Sequence, residues 1–124
     1  MQQVIPIMKK QGGGAIVNIS SGTALMIMPN MAAYSSLKRA IAGLSLTAHE
    51  ELKKDNIIVS VIYPYITATD FEKNTLKSKS LSSENDDGGG PPYPADSAEH
   101  IANKILNAVK DEKAEIYAHD WMKR

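Results

Sequence analysis

With 124 residues, 43% of them hydrophobic and 23% charged, the chain has the make-up of one soluble domain of modest size. Its 14 Lys and Arg balance 14 Asp and Glu, so nothing in the charge argues for nucleic acid or an anionic membrane surface as a partner. There is no cysteine, which excludes disulfides and thiolate metal sites; no apolar run approaches the thickness of a bilayer and no signal pattern opens the chain, so a cytoplasmic protein with no membrane segment is expected.

In chain order, residues 1–10 place Val4, Ile5, Ile7 and Met8 before two lysines and three glycines. That is the pattern of the last turns of a helix, with cations near its negative end and glycine beyond it. The glycines precede a strand rather than follow one, so they predict a turn and not a phosphate cradle. Residues 15–19 (Ala-Ile-Val-Asn-Ile) predict a strand covered on both faces, as in a parallel sheet. Over residues 32–54, Leu37, Ile41, Leu44, Ala48 and Leu52 recur at helical spacing, among many small residues that would let a neighbour approach closely.

Residues 56–63 (Asn-Ile-Ile-Val-Ser-Val-Ile-Tyr) form the clearest strand pattern, stopped by Pro64. Strand, helix and strand within about fifty residues predict a βαβ crossover with parallel strands. Residues 72–95 are polar and rich in serine, glycine and proline, which predicts a long mobile connection of the kind that forms lids or binding loops, with one short helix near residues 71–77. Asp96 or Ser97 would then cap a helix to about Lys110, with Ile101, Ile105, Leu106 and Val109 inward. Residues 114–118 predict a third short strand, and residues 119–124 a surface tail. Alternation of this kind defines an α/β layered fold, in which ligands sit at the carboxyl ends of the strands.

Ser20 and Ser21 lie at such an end, as do Pro64, Thr67 and Thr69. Tyr34 and Lys38, four apart, share one face of the long helix. A cation beside a phenol favours its ionised form, and general acid–base work needs a phenol so tuned. Ser21 could hydrogen-bond the same substrate oxygen and hold the charge that develops there. A carbonyl so held is ready to receive a hydride, which no side chain supplies, so a nicotinamide cofactor is implied. His49, His100 and His119 are far apart in sequence on faces expected to be polar, and no metal site is expected.

The run from Gly14 to Ser21, the Tyr34-x-x-x-Lys38 pair thirteen residues after Ser21, and Pro64 to Thr69 together resemble the short-chain dehydrogenase/reductase family. The resemblance implies a partial Rossmann-type three-layer sandwich, residues 1–124 standing for the carboxyl-terminal half of one domain without its amino-terminal βαβ half. It implies NAD or NADP as cofactor, and a small alcohol or carbonyl compound as substrate. Ser21, Tyr34 and Lys38 would be catalytic, and Tyr34, Lys38, Pro64, Thr67 and Thr69 would hold cofactor. Members commonly pair through the helix that carries Tyr34, so a homodimer or homotetramer is expected.

Two departures stand out. Tyr65 occupies the position of a family glycine, and the glycine-rich turn and the asparagine that often completes the catalytic group have no counterpart in these residues; Asn18 belongs to the strand and cannot substitute. Two functions follow: an oxidoreductase of which this chain alone is inactive, or a non-catalytic fragment that keeps only the helix-pairing surface. An open edge is expected at the first strand.

Overall fold

The computed structural model describes residues 1–70 and 93–123. Helix α1 (Ile5–Gln11) leads into strand β1 (Gly14–Ile19), then a 3-10 turn (Gly22–Ala24), helix α2 (Ala32–Leu52), strand β2 (Ile57–Tyr63), helix α3 (Ala98–Asp111), strand β3 (Glu115–Tyr117) and a last 3-10 turn (Asp120–Met122). The sheet order is β1-β2-β3 and both pairings are parallel. The α/β alternation expected from the sequence is therefore the fold, within two or three residues at each boundary. The expected lid of residues 72–95 and the short helix near 71–77 fall almost wholly outside the described residues.

Helix α1 stops where Gly12 turns left-handed (φ 85°) and its amide reaches back to the Lys9 carbonyl, with Lys9 and Lys10 in the last turn. Gly13 is also at positive φ, and a Cβ there would meet Asn56 at 2.5 Å. Glycine is thus required by the turn itself. Lys9 pairs with Asp55 at 2.7 Å and Asn56 Nδ2 donates to the Gly12 carbonyl, tying this turn to the one that precedes β2.

β2 is the centre of the core. Ile57, Val59 and Val61 on one face and Ser60 and Ile62 on the other are all buried, as a middle strand covered on both sides requires. Ile57 and Val59 pack with Ala48 and Leu52 of α2, and with Met1, Ile5, Met8 and Ile16. Val61, Ile62 and Tyr63 pack with Ala42, Ile101, Ala118 and Met122. His49 donates from Nδ1 to the Val59 carbonyl at 2.8 Å; a carbonyl only accepts, so that nitrogen carries the proton. Among the described residues β1 pairs with β2 alone, which leaves the expected open edge.

The helix faces differ from the simple periodic reading. On α2 the buried residues are Ser35, Ala42, Ser45, Ala48, His49 and Leu52, while Leu37 and Leu44 are about 60% exposed. The sheet contacts the narrow, small-residue side because it lets the backbones approach, and the larger leucines are left outside. On α3, Ile101 is buried and Ile105 packs against the core, but Leu106 and Val109 face outward. Ser97 is the cap, accepting from the His100 amide. The described tail is exposed at Asp120, Trp121 and Lys123, as expected, but Met122 turns inward and is buried, and a Cβ on Gly22 would meet its Cε at 2.9 Å.

Tyr63 ends β2 with its hydroxyl donating to Glu115 Oε1 at 2.8 Å and its ring stacked on Tyr117 at 5.2 Å. Burial first, and the Glu115 carboxylate second, push the Tyr63 phenol well above its ordinary value, and the same causes raise Tyr117. In the unfolded chain these phenols ionise near pH ~10, whereas in the fold their ionisation is shifted to higher pH. Their contribution is therefore complete below that pH and is lost as pH rises beyond it. Denaturant midpoints should be level up to about pH 9 and fall above about pH 10. Tyr63→Phe should cost about 1 kcal/mol at neutral pH and make the alkaline fall shallower; an unchanged slope would contradict this role.

Candidate active site

The carboxyl ends of β1 and β2 are held level by hydrogen bonds that continue the ladder past the strands. The Ser20 amide donates to the Ile62 carbonyl and the Gly22 amide to the Pro64 carbonyl, each at 2.8 Å. The segment bearing Ser21 and the segment that opens with Pro64 therefore leave the sheet side by side, which is where a parallel sheet offers a crevice.

Helix α2 is fastened across this end. Ser20 Oγ donates to the Lys38 carbonyl at 2.8 Å, and Lys38 Nζ donates to the Ile19 carbonyl at 3.0 Å. The same ammonium lies 5.6 Å from the centre of the Tyr34 ring, one helical turn away. An ammonium has three donors, and the bond to Ile19 fixes where the others can reach. Tyr34 and Lys38 are both partly buried.

Ser21 Oγ accepts from the Thr23 amide at 3.2 Å and from Thr23 Oγ1 at 3.1 Å, opening the 3-10 turn. With its lone pairs so engaged, what Ser21 has to offer a ligand is its own O–H. The Thr67 hydroxyl donates to the Tyr65 carbonyl, and Thr67 forms an isolated parallel bridge with Asp96. Thr69 is exposed. Asn18 Nδ2 donates to Ser45 Oγ at 2.9 Å, and Ser45 to the Ile41 carbonyl, so Asn18 braces α2 against β1 as the strand reading requires.

The Tyr65 side chain, where the family pattern has glycine, is turned into a group of rings. Its ring meets Trp121 edge-on at 5.3 Å, His119 at 6.2 Å and Tyr93 at 6.5 Å, and Trp121 in turn stacks on Tyr93 and His119. The bulk that a glycine would lack is taken up by rings from the tail and from Tyr93 ahead of α3. His100 and His119, 19 residues apart in the chain, lie with ring centres 5.5 Å apart, because β3 returns the chain to the start of α3.

Arg39 carries no signal in the sequence yet shapes the site. Its Nε donates to the Ala24 carbonyl at 3.0 Å and its Nη2 to the Met26 carbonyl at 2.7 Å, holding the segment after Ser21 against α2. The acceptors are backbone carbonyls, which any sequence could provide.

A parallel α/β sheet with its polar groups gathered at the strand ends is the Rossmann-type architecture. The family model for short chain dehydrogenases matches residues 1–80, and the chain belongs to that family. It is 43% identical over 72 residues to a probable galactose dehydrogenase of Rhizobium meliloti, covering 58% of this chain and 28% of that one. The acetoin dehydrogenase YohF of Salmonella typhimurium superposes with a TM-score of 0.73 at 25% identity, over 94% of this chain and 47% of that one. A 7α-hydroxysteroid dehydrogenase solved with NADH and 7-oxo glycochenodeoxycholic acid gives a TM-score of 0.74 at 28% identity, over 94% and 46%. The chain spans less than half the length of each of these relatives. Among the described residues no helix is long and apolar enough to cross a membrane.

Arg39→Ala should free the Ala24 and Met26 carbonyls and speed hydrogen exchange at the amides of Ala24 and Leu25, whose partners are the Ser21 and Gly22 carbonyls. Arg39→Lys should restore protection only in part, since a lysine cannot reach two carbonyls with one fork. Equal exchange in all three proteins would contradict the clamp.

Proposed function

We propose that residues 1–124 are the carboxyl-terminal half of one short-chain dehydrogenase domain that interconverts an alcohol and a ketone or aldehyde with NAD or NADP. The observation that carries the reading is the Lys38 ammonium, fixed by the Ile19 carbonyl and set 5.6 Å from the Tyr34 ring at the strand end that bears Ser21. Bound nicotinamide would supply the hydride. Lys38, with the backbone and hydroxyls of Pro64, Thr67 and Thr69, would hold the cofactor, and Tyr34 would border it. The fit is supported by the side chain of Tyr65, which is drawn away into the ring cluster with Trp121.

In the reducing direction, hydride adds to the carbonyl carbon and the carbonyl π electrons pass to oxygen. That oxygen takes the phenolic proton of Tyr34 while the Ser21 O–H holds its developing charge. The phenolate left behind faces the Lys38 ammonium until a proton returns from solvent. The apolar residues between Ser21 and α2, Leu25, Met26, Ile27 and Met28 among them, would line the substrate side and adapt to a small apolar compound. The exposed Leu37 and Leu44 on α2 support pairing with a second copy, as a dimer or tetramer.

In a catalytically competent protein that carries this chain, Tyr34→Phe should lower kcat for carbonyl reduction by roughly 10²-fold or more, with cofactor affinity little changed. Ser21→Ala should lower it by about 10²-fold. Near-normal reduction by Tyr34→Phe would overturn the assignment.

A further inference from the structure

Asp96, His100 and His119 meet at the carboxyl end of the sheet, apart from Ser21, Tyr34 and Lys38. Asp96 immediately precedes the Ser97 cap of α3, His100 lies in the first turn of that helix, and His119 follows β3 by two residues. One ligand atom from each lies within 4.8 Å of the other two. His119 Nε2 sits 2.9 and 3.0 Å from the two Asp96 oxygens, and His100 Nε2 is 3.3 Å from the Ala118 carbonyl. The carboxylate side chain is 10% exposed and the His119 ring 31%, so the group is sheltered but reachable from solvent.

From this geometry we propose that Asp96, His100 and His119 form a binding site for a divalent transition ion of the Zn²⁺ type. Two imidazoles and one carboxylate are the ligand set that such ions favour, with a fourth position for water. Metal bonds of about 2.0–2.2 Å place tetrahedral ligand atoms roughly 3.4 Å apart. The His119–Asp96 pair is already near that spacing, and the third ligand atom is brought in by a side-chain rotation of His100. The ion enters where His119 now shares a hydrogen bond with Asp96, and His100 gives up its contact with the Ala118 carbonyl; on a ring that ligates through Nε2 the proton there moves to Nδ1 or, from a charged ring, to solvent.

The site would act as a staple. Asp96 is bound through its backbone to the segment after β2, its amide donating to the Ile66 carbonyl at 2.7 Å and its carbonyl accepting from the Ala68 amide at 2.9 Å. His119 carries the tail, and its ring packs on Tyr65 and Trp121. An ion held by all three would lock the Tyr65 to Ala68 segment, the start of α3 and the tail as one unit. The inference does not depend on the oxidoreductase reading.

The chain has one tryptophan and three histidines, and the third, His49, is buried with Nδ1 on the Val59 carbonyl. Trp121, whose ring centre is 5.7 Å from that of His119, is therefore a built-in reporter. Chelator-treated chain should be titrated with Co²⁺, following visible d–d absorption and Trp121 fluorescence together, and then with Zn²⁺. We expect one saturable site, reported by both signals, from which Zn²⁺ displaces Co²⁺, and a higher Tm with Zn²⁺. His100→Gln and His119→Gln, checked for fold by circular dichroism, should each weaken Co²⁺ binding roughly tenfold or more. If either variant does not fold, Asp96→Asn serves in its place. No saturable signal, or binding unchanged in the folded variants, would overturn the proposal.

Discussion

Two hydrogen bonds between α2 and the end of β1 set the rest of the site: Ser20 Oγ to the Lys38 carbonyl, and Lys38 Nζ back to the Ile19 carbonyl. They form only if the helix backbone comes close to the strand, and that closeness depends on Ser35, Ala42, Ser45 and Ala48 facing the sheet. Larger side chains there would hold α2 away from the strand end and separate Lys38 from Ile19. The sheet side of the constraint is β2, buried on both faces, whose Ile62 carbonyl receives the Ser20 amide while the Pro64 carbonyl just beyond it receives that of Gly22. The position of Ser21 relative to Tyr34 and Lys38 is thus a consequence of core packing several residues away.

Much of this could be read from the chain alone. Alternation of β-branched runs with a long helical period gave the order of elements, and Ser21, Tyr34 and Lys38 stood out by spacing. Helix faces were less legible. Leu37, Leu44, Leu106 and Val109 follow the helical period but are exposed, because hydropathy records which residues prefer burial and not which neighbour is available to bury them. Arg39 was invisible for a different reason: its acceptors are main-chain carbonyls of residues 24 and 26. Met122 is the exception in a tail that is otherwise at the surface: only the return of β3 beside β2 brings it into the core.

Tyr65 shows how a departure from a family pattern can be absorbed. A ring at that position needs somewhere to go, and Tyr93, His119 and Trp121 provide it. The sequence change is therefore coupled to residues more than fifty positions away in the tail. The Thr67–Asp96 bridge and the Asp96–His119 contact complete the link, so the segment after β2 and the tail form one packed unit.

The central claim is that Tyr34 and Lys38 work as one proton-handling unit on the same step. The direct measurement is kcat for carbonyl reduction at saturating cofactor, in a catalytically competent protein that carries this chain, for Tyr34→Phe, Lys38→Met and the double variant. Groups that act as a unit are not additive, so the double variant should be no slower than the worse single one. Losses that multiply would show two independent contributions and contradict the account.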